Sequence, residues 1–212
     1  MRSAIPKLED DCIVTVVLLA AGEASRMGVG GRHKLLAEFD GIPLVRRSAV
    51  AALGTRASSV TVVTGHRHQE IKAALGGLDL QYVHNPDYAS GMAGSLVAGF
   101  RTDQVQRADG ALVLNADMPK ITSADLNALI VAFERAKRDA VIRAATTSRR
   151  GNPVVLPRSL YDGVLRLRGD VGARHLIEIS GRPVVDVPIE ECSLLDVDTP
   201  EAILAAGGVL TV

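Results

Sequence analysis

"VVLLAAGEASRMGVGGRHKLL", residues 16–36, sets a six-residue apolar run directly against a loop with four glycines, three cationic side chains and a histidine. The run reads as a buried strand ending at Leu19, which delivers the chain to the carboxyl edge of a sheet. There Gly22, Gly28, Gly30 and Gly31 let consecutive backbone amides turn inward toward an anion, and phosphate is the natural one. Neither common phosphate-loop pattern fits. No Gly-Lys-Ser/Thr is present, so this is not a Walker A loop, and "GVGGRH" lacks the third glycine of the dinucleotide fingerprint. On glycine content alone, a surface loop with ordinary charges is the alternative.

Working outward, apolar runs of strand length recur at residues 13–20, 59–65, 78–84, 110–116, 139–145 and 182–189. Helical spacing fills most of the gaps. In "PLVRRSAVAALG" Leu44, Val45, Ser48, Ala49, Ala52 and Leu53 share a face, with proline at the first turn and glycine past the end. "TSADLNALIVAFERAK" starts on a cap, Thr122 or Ser123, has Asp125 in its first turn and ends in basic residues. Strand-then-helix alternation predicts an α/β chain with a mostly parallel sheet covered by helices on both faces. Ligands of such folds bind outside the carboxyl ends of the strands. Beyond residue 145 the alternation is interrupted by "SRRGNPVVLP", "RLRGDVGARH" and "EECSLLDVDTPE", an elaborated second half over the same sheet. The expected division is an N-terminal extension over 1–12, one domain over 13–206 and a C-terminal tail over 207–212.

The bulk properties narrow the classes of function. Lysine plus arginine (24) balance aspartate plus glutamate (24), so no global basic field collects nucleic acid, and any anion site is local. Only 3 % of residues are aromatic, which leaves few rings for stacking bases. Cys12 and Cys192 are 180 positions apart, without a CxxC or a histidine cluster, and read as two reduced thiols. No apolar run approaches the length of a membrane span, and acidic residues stand where a signal peptide needs its apolar region. The expectation is a cytoplasmic protein with no nucleic-acid or membrane partner.

Two further stretches carry acids. In "VLNADMPKI" an apolar strand runs out into Asp117, and Pro119 then fixes the turn. In "LLDVDTPEAI" a short apolar strand carries Asp196 and Asp198 on one face, with Thr199 capping a helix that has Pro200 in its first turn. One carboxylate from each strand end, with phosphate oxygens between them, is a usual way to hold Mg²⁺. Taken singly, each acid reads more readily as turn and cap chemistry; jointly, the two acids and the glycine loop favour a site. His66 and His68 fall at the start of a helix, where a spacing of two points them apart. Ser25 and Ser95 have no His/Asp partner at a recognisable spacing and do not read as nucleophiles.

The strings "LAAGEASRMG", "KLL", "NPDYASGMAGSL", "DMP", "RGNPVVLP", "GDVGAR" and "DVDTPE" together resemble the MobA-like nucleotidyltransferases, most closely the molybdenum cofactor cytidylyltransferase branch. The resemblance runs in order from about residue 13 to residue 204, and it implies a single Rossmann-like α/β domain of three layers with a mostly parallel twisted sheet. It implies that Leu19, Ala20, Ala21 and Gly22 bring backbone against the nucleotide, while Arg26 and Lys34 grip the triphosphate. It implies that Thr64 and Gly65 approach the base, and that Asn85, Gly91, Met92 and Ser95 line the nucleoside. Asp117 and Asp198 become the Mg²⁺ ligands, and Arg26, Lys34 and Asp117 the catalytic residues. Arg150, Gly151, Asn152, Pro153, Gly169, Asp170, Gly172 and Arg174 face the acceptor. Three features are particular to this chain. The loop "VGGRH" is longer than its family counterpart and offers Arg32 as a second cation, Ala116 replaces the commoner glycine, and Asn152 stands where histidine is frequent.

The implied activity is Mg²⁺-dependent transfer of a nucleoside monophosphate, CMP from CTP, to a phosphorylated acceptor such as molybdopterin cofactor, releasing pyrophosphate. The "LAAG" start resembles the cytidylyl branch more than the guanylyl one. The implied partners are a nucleoside triphosphate, a phosphorylated small molecule and a molybdenum oxidoreductase that receives the product. Two alternatives stand beside it: the same chemistry on a sugar phosphate or other small phosphorylated acceptor, and a non-catalytic accessory protein that binds molybdenum cofactor. A dinucleotide-dependent oxidoreductase is disfavoured by the incomplete glycine fingerprint.

Overall fold

The computed structural model describes residues 12–27 and 33–210. Gly28, Gly30, Gly31 and Arg32 of the opening loop therefore lie outside the described residues, as do most of the expected N-terminal extension and the last two residues of the expected tail. The chain begins with β1 (Val14–Ala20), then two single 3₁₀ turns, Ser25–Met27 and Lys34–Leu36. It continues through β2 (Glu38–Phe39), β3 (Ile42–Pro43), α1 (Leu44–Leu53), β4 (Val60–Thr64), α2 (His68–Ala74) and β5 (Gln81–His84). After a 3₁₀ turn at Tyr88–Ser90 come α3 (Met92–Phe100), α4 (Asp103–Arg107), β6 (Gly110–Asn115), α5 (Ser123–Arg135) and β7 (Val141–Ala145). The rest is β8 (Arg150–Pro157), α6 (Tyr161–Leu165), α7 (Ala173–Ile179), β9 (Val184–Pro188), α8 (Pro200–Ala205) and β10 (Gly208–Val209).

Seven strands form the central sheet in the order β5-β4-β1-β6-β8-β7-β9. All run parallel except β8, which pairs antiparallel with β6 and with β7. β1 sits where the chain first winds one way, through β4 to β5, and then returns to β6 on its other side. That reversal opens a crevice at the carboxyl ends of β1 and β6, where such folds place ligands.

The sheet has two buried faces, which is why its central strands read as continuous apolar runs. Val16, Leu18, Leu112, Leu114 and Ile142 pack one way, against Leu44 and Ala49 of α1 and Leu129 and Phe133 of α5. Val17, Val63, Val113 and Val154 pack the other way, against Leu96 and Phe100 of α3, Val164 of α6 and Ile177 of α7. The expected cap of α5 is present in full: Thr122 Oγ1 accepts from Asp125 N, while the Asp125 carboxylate accepts from Thr122 N.

The structure corrects the sequence reading in two places. "RGNPVVLP", expected as an interruption, is the eight-residue β8, inserted between β6 and β7 in the centre of the sheet. Residues 195–198, within the segment expected as a short strand before the Thr199 cap, have no partner strand among the described residues and lie between a 3₁₀ turn at Glu191–Leu194 and α8. Asp-Thr-Pro chemistry decides that segment: Thr199 accepts from Ala202 N and Pro200 opens the helix. The side-chain alternation expected there is nonetheless present, since Val197 is fully buried while Asp196 and Asp198 turn outward to cations. Two residues of the expected tail, Gly208 and Val209, pair as β10 with β2. No helix among the described residues is long and apolar enough to cross a membrane.

Candidate active site

Parallel pairing of β1 and β6 brings Leu19 level with Asn115, and the ladder continues one step as Ala116 N donates to Leu19 O (3.1 Å). Ser48 of α1 donates to the Ala116 carbonyl (3.0 Å), so Asp117 leaves the sheet edge from a residue held on both sides. Val197 N donates to the Asp117 carbonyl (3.1 Å), and this bond brings the C-terminal acid Asp198 alongside.

Lys34 lies between the two acids. Its Nζ is 2.6 Å from Asp117 Oδ2 and 2.6 Å from Asp198 Oδ1. Arg26 Nη1 reaches the remaining oxygen of Asp198 at 2.8 Å, from a side chain that is 71 % exposed. Burial pulls the Lys34 ammonium down, but Asp117 and Asp198 more than offset this and hold it above its usual value. Burial pushes the Asp117 carboxyl up against the pull of Lys34, whereas Asp198, hydrogen-bonded to Lys34 and Arg26, is held below the usual carboxylate range. Asp117 Oδ1 is buried and has no hydrogen-bond partner among the described residues.

That unpartnered oxygen bears on whether a divalent cation fits. A buried carboxylate oxygen facing no donor, beside a second carboxylate, is a hard oxygen donor set suited to Mg²⁺ or Mn²⁺, with phosphate oxygens and water completing the shell. No group of three or more His, Cys, Asp or Glu side chains able to hold a metal occurs among the described residues. A cation at this point would have the two carboxylates of Asp117 and Asp198 as side-chain ligands and would compete with Lys34 for both.

Two adjoining cavities open from this point. The smaller, about 320 Å³, has Lys34 and Asp117 at one end and Gly22, Gly91 and Ser95 along it. The larger, about 580 Å³, shares Leu19 and Met92 with it and extends over the sheet between α3 and α7, with Arg143, Arg150 and Asn152 on its floor and Arg174 on its wall.

A model of the MobA-like NTP transferase domain matches residues 16–187, which span both cavities. The chain belongs to the MobA-like NTP transferase family. It is a nucleotidyltransferase of that family, as the sequence resemblance implied. Among curated relatives it is 29 % identical over 198 residues to the purine catabolism protein PucB of Bacillus subtilis, covering 87 % of this chain and 91 % of that one. It is 31 % identical over 166 residues to nicotine blue oxidoreductase of Paenarthrobacter nicotinovorans, covering 76 % and 79 %. It is 25 % identical over 197 residues to molybdenum cofactor cytidylyltransferase of Escherichia coli, covering 92 % and 94 %. Among solved structures, a Mycobacterium tuberculosis protein crystallised as a manganese complex shares the fold with a TM-score of 0.71 at 22 % identity, covering 92 % of this chain and 98 % of that one.

Within this MobA-like frame Arg26 and Asp198 line neither cavity, and most of the other residues singled out from sequence fall into three groups. Leu19, Ala21, Gly22, Lys34, Gly91, Met92, Ser95 and Asp117 line the smaller cavity. Ala20, Thr64, Gly65 and Asn85 stand behind it. Ala20 is buried in the core, Thr64 donates its hydroxyl to Val83 O, and Asn85 Nδ2 donates to Ser95 Oγ (3.1 Å). Gly65 is pressed so close that a Cβ would lie 2.6 Å from both Ala21 O and Tyr88 Cβ. Arg150, Gly151, Asn152 and Arg174 line the larger cavity, but Pro153 does not, and Asp170 faces the smaller one instead.

Sequence reasoning missed Asn115, Tyr88 and Arg143. Asn115, on the cavity wall, was signalled by its place at the end of β6, two residues before Asp117. Arg143 was signalled by its charge inside the apolar run "DAVIRAA". His33 was also missed: its Nδ1 accepts from Leu35 N (3.3 Å), so its Nε2 carries the proton and donates to Gly22 O (3.1 Å). It thereby ties Gly22, where the glycine-rich loop begins, to the turn that carries Lys34. His66 stacks on His33 with ring centroids 5.5 Å apart, while His68 turns to His84, so the two point apart as expected.

Proposed function

We propose that this MobA-like protein transfers a nucleoside monophosphate, CMP from CTP, to a phosphorylated acceptor such as molybdopterin cofactor, with Mg²⁺ as cofactor and pyrophosphate as the other product. The observation that carries the reading is the acid pair Asp117 and Asp198, with Lys34 and Arg26 on it, at the mouth of one cavity that opens into a second. The smaller cavity holds the nucleotide and the larger the acceptor. Support for cytidine and for molybdenum cofactor comes from the likeness to the Escherichia coli cytidylyltransferase over nearly the whole of both chains.

An acceptor phosphate oxygen attacks the α-phosphorus in line, the bond to the β-phosphate oxygen breaks, and pyrophosphate leaves. The acceptor phosphate is already ionised at neutral pH, so no side chain has to act as base or nucleophile. A divalent cation bound to Asp117 and Asp198 supplies Lewis-acid neutralisation of nucleotide oxygens. Lys34 and Arg26 add fixed positive charge where it gathers on the leaving group. Gly22, Gly91 and Ser95 orient the nucleotide, and Asn85 holds Ser95 in place.

The identity with nicotine blue oxidoreductase favours a second reading, an oxidoreductase on the same scaffold. It leaves the buried pair Lys34 and Asp117 without a task, so it ranks second. Incubating the protein with each nucleoside triphosphate, Mg²⁺ and a panel of phosphorylated acceptors, and following pyrophosphate, separates the two. Release with CTP supports transfer. NAD(P)H consumption without pyrophosphate release supports the oxidoreductase.

A further inference from the structure

We infer that Arg143, Arg150 and Asp186 form a phosphate-binding clamp on the floor of the larger cavity, with Asp186 acting as the positioning residue for both arginines; this rests on the reading of that cavity as the acceptor site. Arg143 Nε donates to Asp186 Oδ1 (2.9 Å) and Arg150 Nε donates to Asp186 Oδ2 (2.8 Å). One carboxylate thus holds two guanidinium groups, each by its Nε edge. Neither arginine makes another hydrogen bond or ion pair among the described residues. The Nη edges of both remain for a ligand, and both side chains line the cavity.

The backbone builds this arrangement. Arg143 on β7 and Asp186 on β9 are direct partners in a parallel register. Between β7 and β8 the register jumps after Arg143, so that Ala144 faces Gly151 and Ala145 faces Arg150. Asn152 and Pro153 are the two additional residues on the bulged strand, and skipping two keeps the parity of the pleat. Arg150 therefore emerges on the same face of the sheet as Arg143 and Asp186. Three charged side chains from three neighbouring strands converge where the surrounding floor, Leu19, Val113 and Val154, is apolar.

Charge and shape define the ligand. Two guanidinium groups and one carboxylate leave a net charge of +1. Planar forks with two free donors each match the tetrahedral oxygens of a phosphate group. Arg174 on the wall is likewise held through its Nε, by Glu178 on its own helix (3.1 Å), but its side chain is 89 % exposed, whereas Arg143 and Arg150 share one anchor on the sheet. Hydrogen bonding to Arg143 holds the Asp186 carboxyl below its usual range, which favours the charged form of the anchor. The phosphate has two possible sources, the acceptor and the leaving pyrophosphate. The clamp's position in the larger cavity, away from Lys34 and Asp117, assigns it to the acceptor.

Titration of the full-length protein with inorganic phosphate, beside titration with CTP and Mg²⁺, tests the clamp without requiring turnover. Arg143→Met should weaken phosphate at least tenfold and leave CTP within about twofold, whereas Lys34→Met should do the reverse. If Arg143→Met instead weakens CTP and spares phosphate, or if phosphate does not bind the wild-type protein, the acceptor assignment is overturned. Asp186→Asn separates positioning from plain charge: it raises the local positive charge, so tighter phosphate binding contradicts the inference. Weaker binding, restored by Asp186→Glu in protein with unchanged thermal unfolding, supports it. Phosphate binding at the clamp in a protein with no nucleotidyl transfer would count against the proposed function and leave the clamp standing. Transfer by a protein with no phosphate site at Arg143 would do the opposite.

Discussion

Lys34 Nζ lies 2.6 Å from Asp117 Oδ2, while the other oxygen of the same carboxyl, Oδ1, is buried with no partner among the described residues. Asp117 therefore meets an ammonium on one side and leaves a donor set open on the other. Because Lys34 also holds Asp198, it competes directly with a divalent cation for both acids. In nucleotide-free protein, Lys34→Met should bind Mn²⁺ about tenfold more tightly than wild type, since two neighbouring carboxylates then lack a counter-charge. Asp117→Ala should abolish that binding. Mn²⁺ titration followed by electron paramagnetic resonance reads both, and weaker Mn²⁺ binding in Lys34→Met would count against the acids as the metal site.

Arg26 should separate function from stability. Its ion pair with Asp198 is largely solvent-exposed, so Arg26→Ala should shift unfolding by less than about 1 kcal/mol. If Arg26 meets the triphosphate, kcat/KM for the nucleotide should fall about 10- to 100-fold. Urea unfolding and steady-state kinetics on the same sample make the comparison.

His33 sets a pH dependence. Burial pulls its imidazole down to about 4, the hydrogen bond to the Gly22 carbonyl opposes this, and the nearby charges of Arg67 and Lys34 add to the depression. The unfolded chain takes up this proton near pH 6.5 and the folded chain only near 4, so between those values the unfolded state binds more protons. Stability should therefore fall as pH drops from about 6.5 toward 4, by up to about 3 kcal/mol from this residue. His33→Asn, which keeps a capping side chain, should flatten the curve in that window. Denaturant unfolding at half-unit pH steps checks it, and identical curves for the two proteins would remove His33 as the cause.

Gly91 should tolerate no side chain. Its φ is +113°, and a Cβ there would lie 2.5 Å from Gly169 O. Gly91→Ala forces the chain out of a conformation that only glycine adopts readily and pushes against backbone in the loop that carries Asp170. A loss of about 1–3 kcal/mol and a weaker nucleotide KM are expected, read by thermal unfolding and kinetics.

The first half of the fold was legible because its strands are buried on both faces and its helices carry their own caps. β1, β4 and β6 announce themselves as apolar runs, and Thr122 and Asp125 mark where α5 starts. β8 was not legible. Its leading residues Arg150 to Pro153 are polar, glycine or proline, as suits a bulged strand at a cavity, and period-two patterning fails there. The segment around Asp196 and Asp198 misled in the opposite direction: alternation suggested a strand, but no neighbouring strand is available and turn chemistry decides. Asp117 and Asp198 were visible as strand-end and cap acids. Their contact with Lys34 was not, since it joins positions 83 and 164 residues apart, and only the packing of three loops at one sheet edge creates it. Asp186 was hidden for the same reason, because its role exists only through the registers of β7 with β8 and β9.

The central claim is that the α-phosphate of the nucleotide ends on the acceptor. Parallel reactions with CTP labelled at the α- or the γ-phosphate, each with Mg²⁺ and a phosphorylated acceptor, measure it directly. α-Label should appear in the acceptor and γ-label in pyrophosphate, in equal amounts, with both lost by orders of magnitude in Asp117→Ala. γ-Label released as inorganic phosphate, or no α-label in any acceptor with any nucleotide in folded protein, would contradict it.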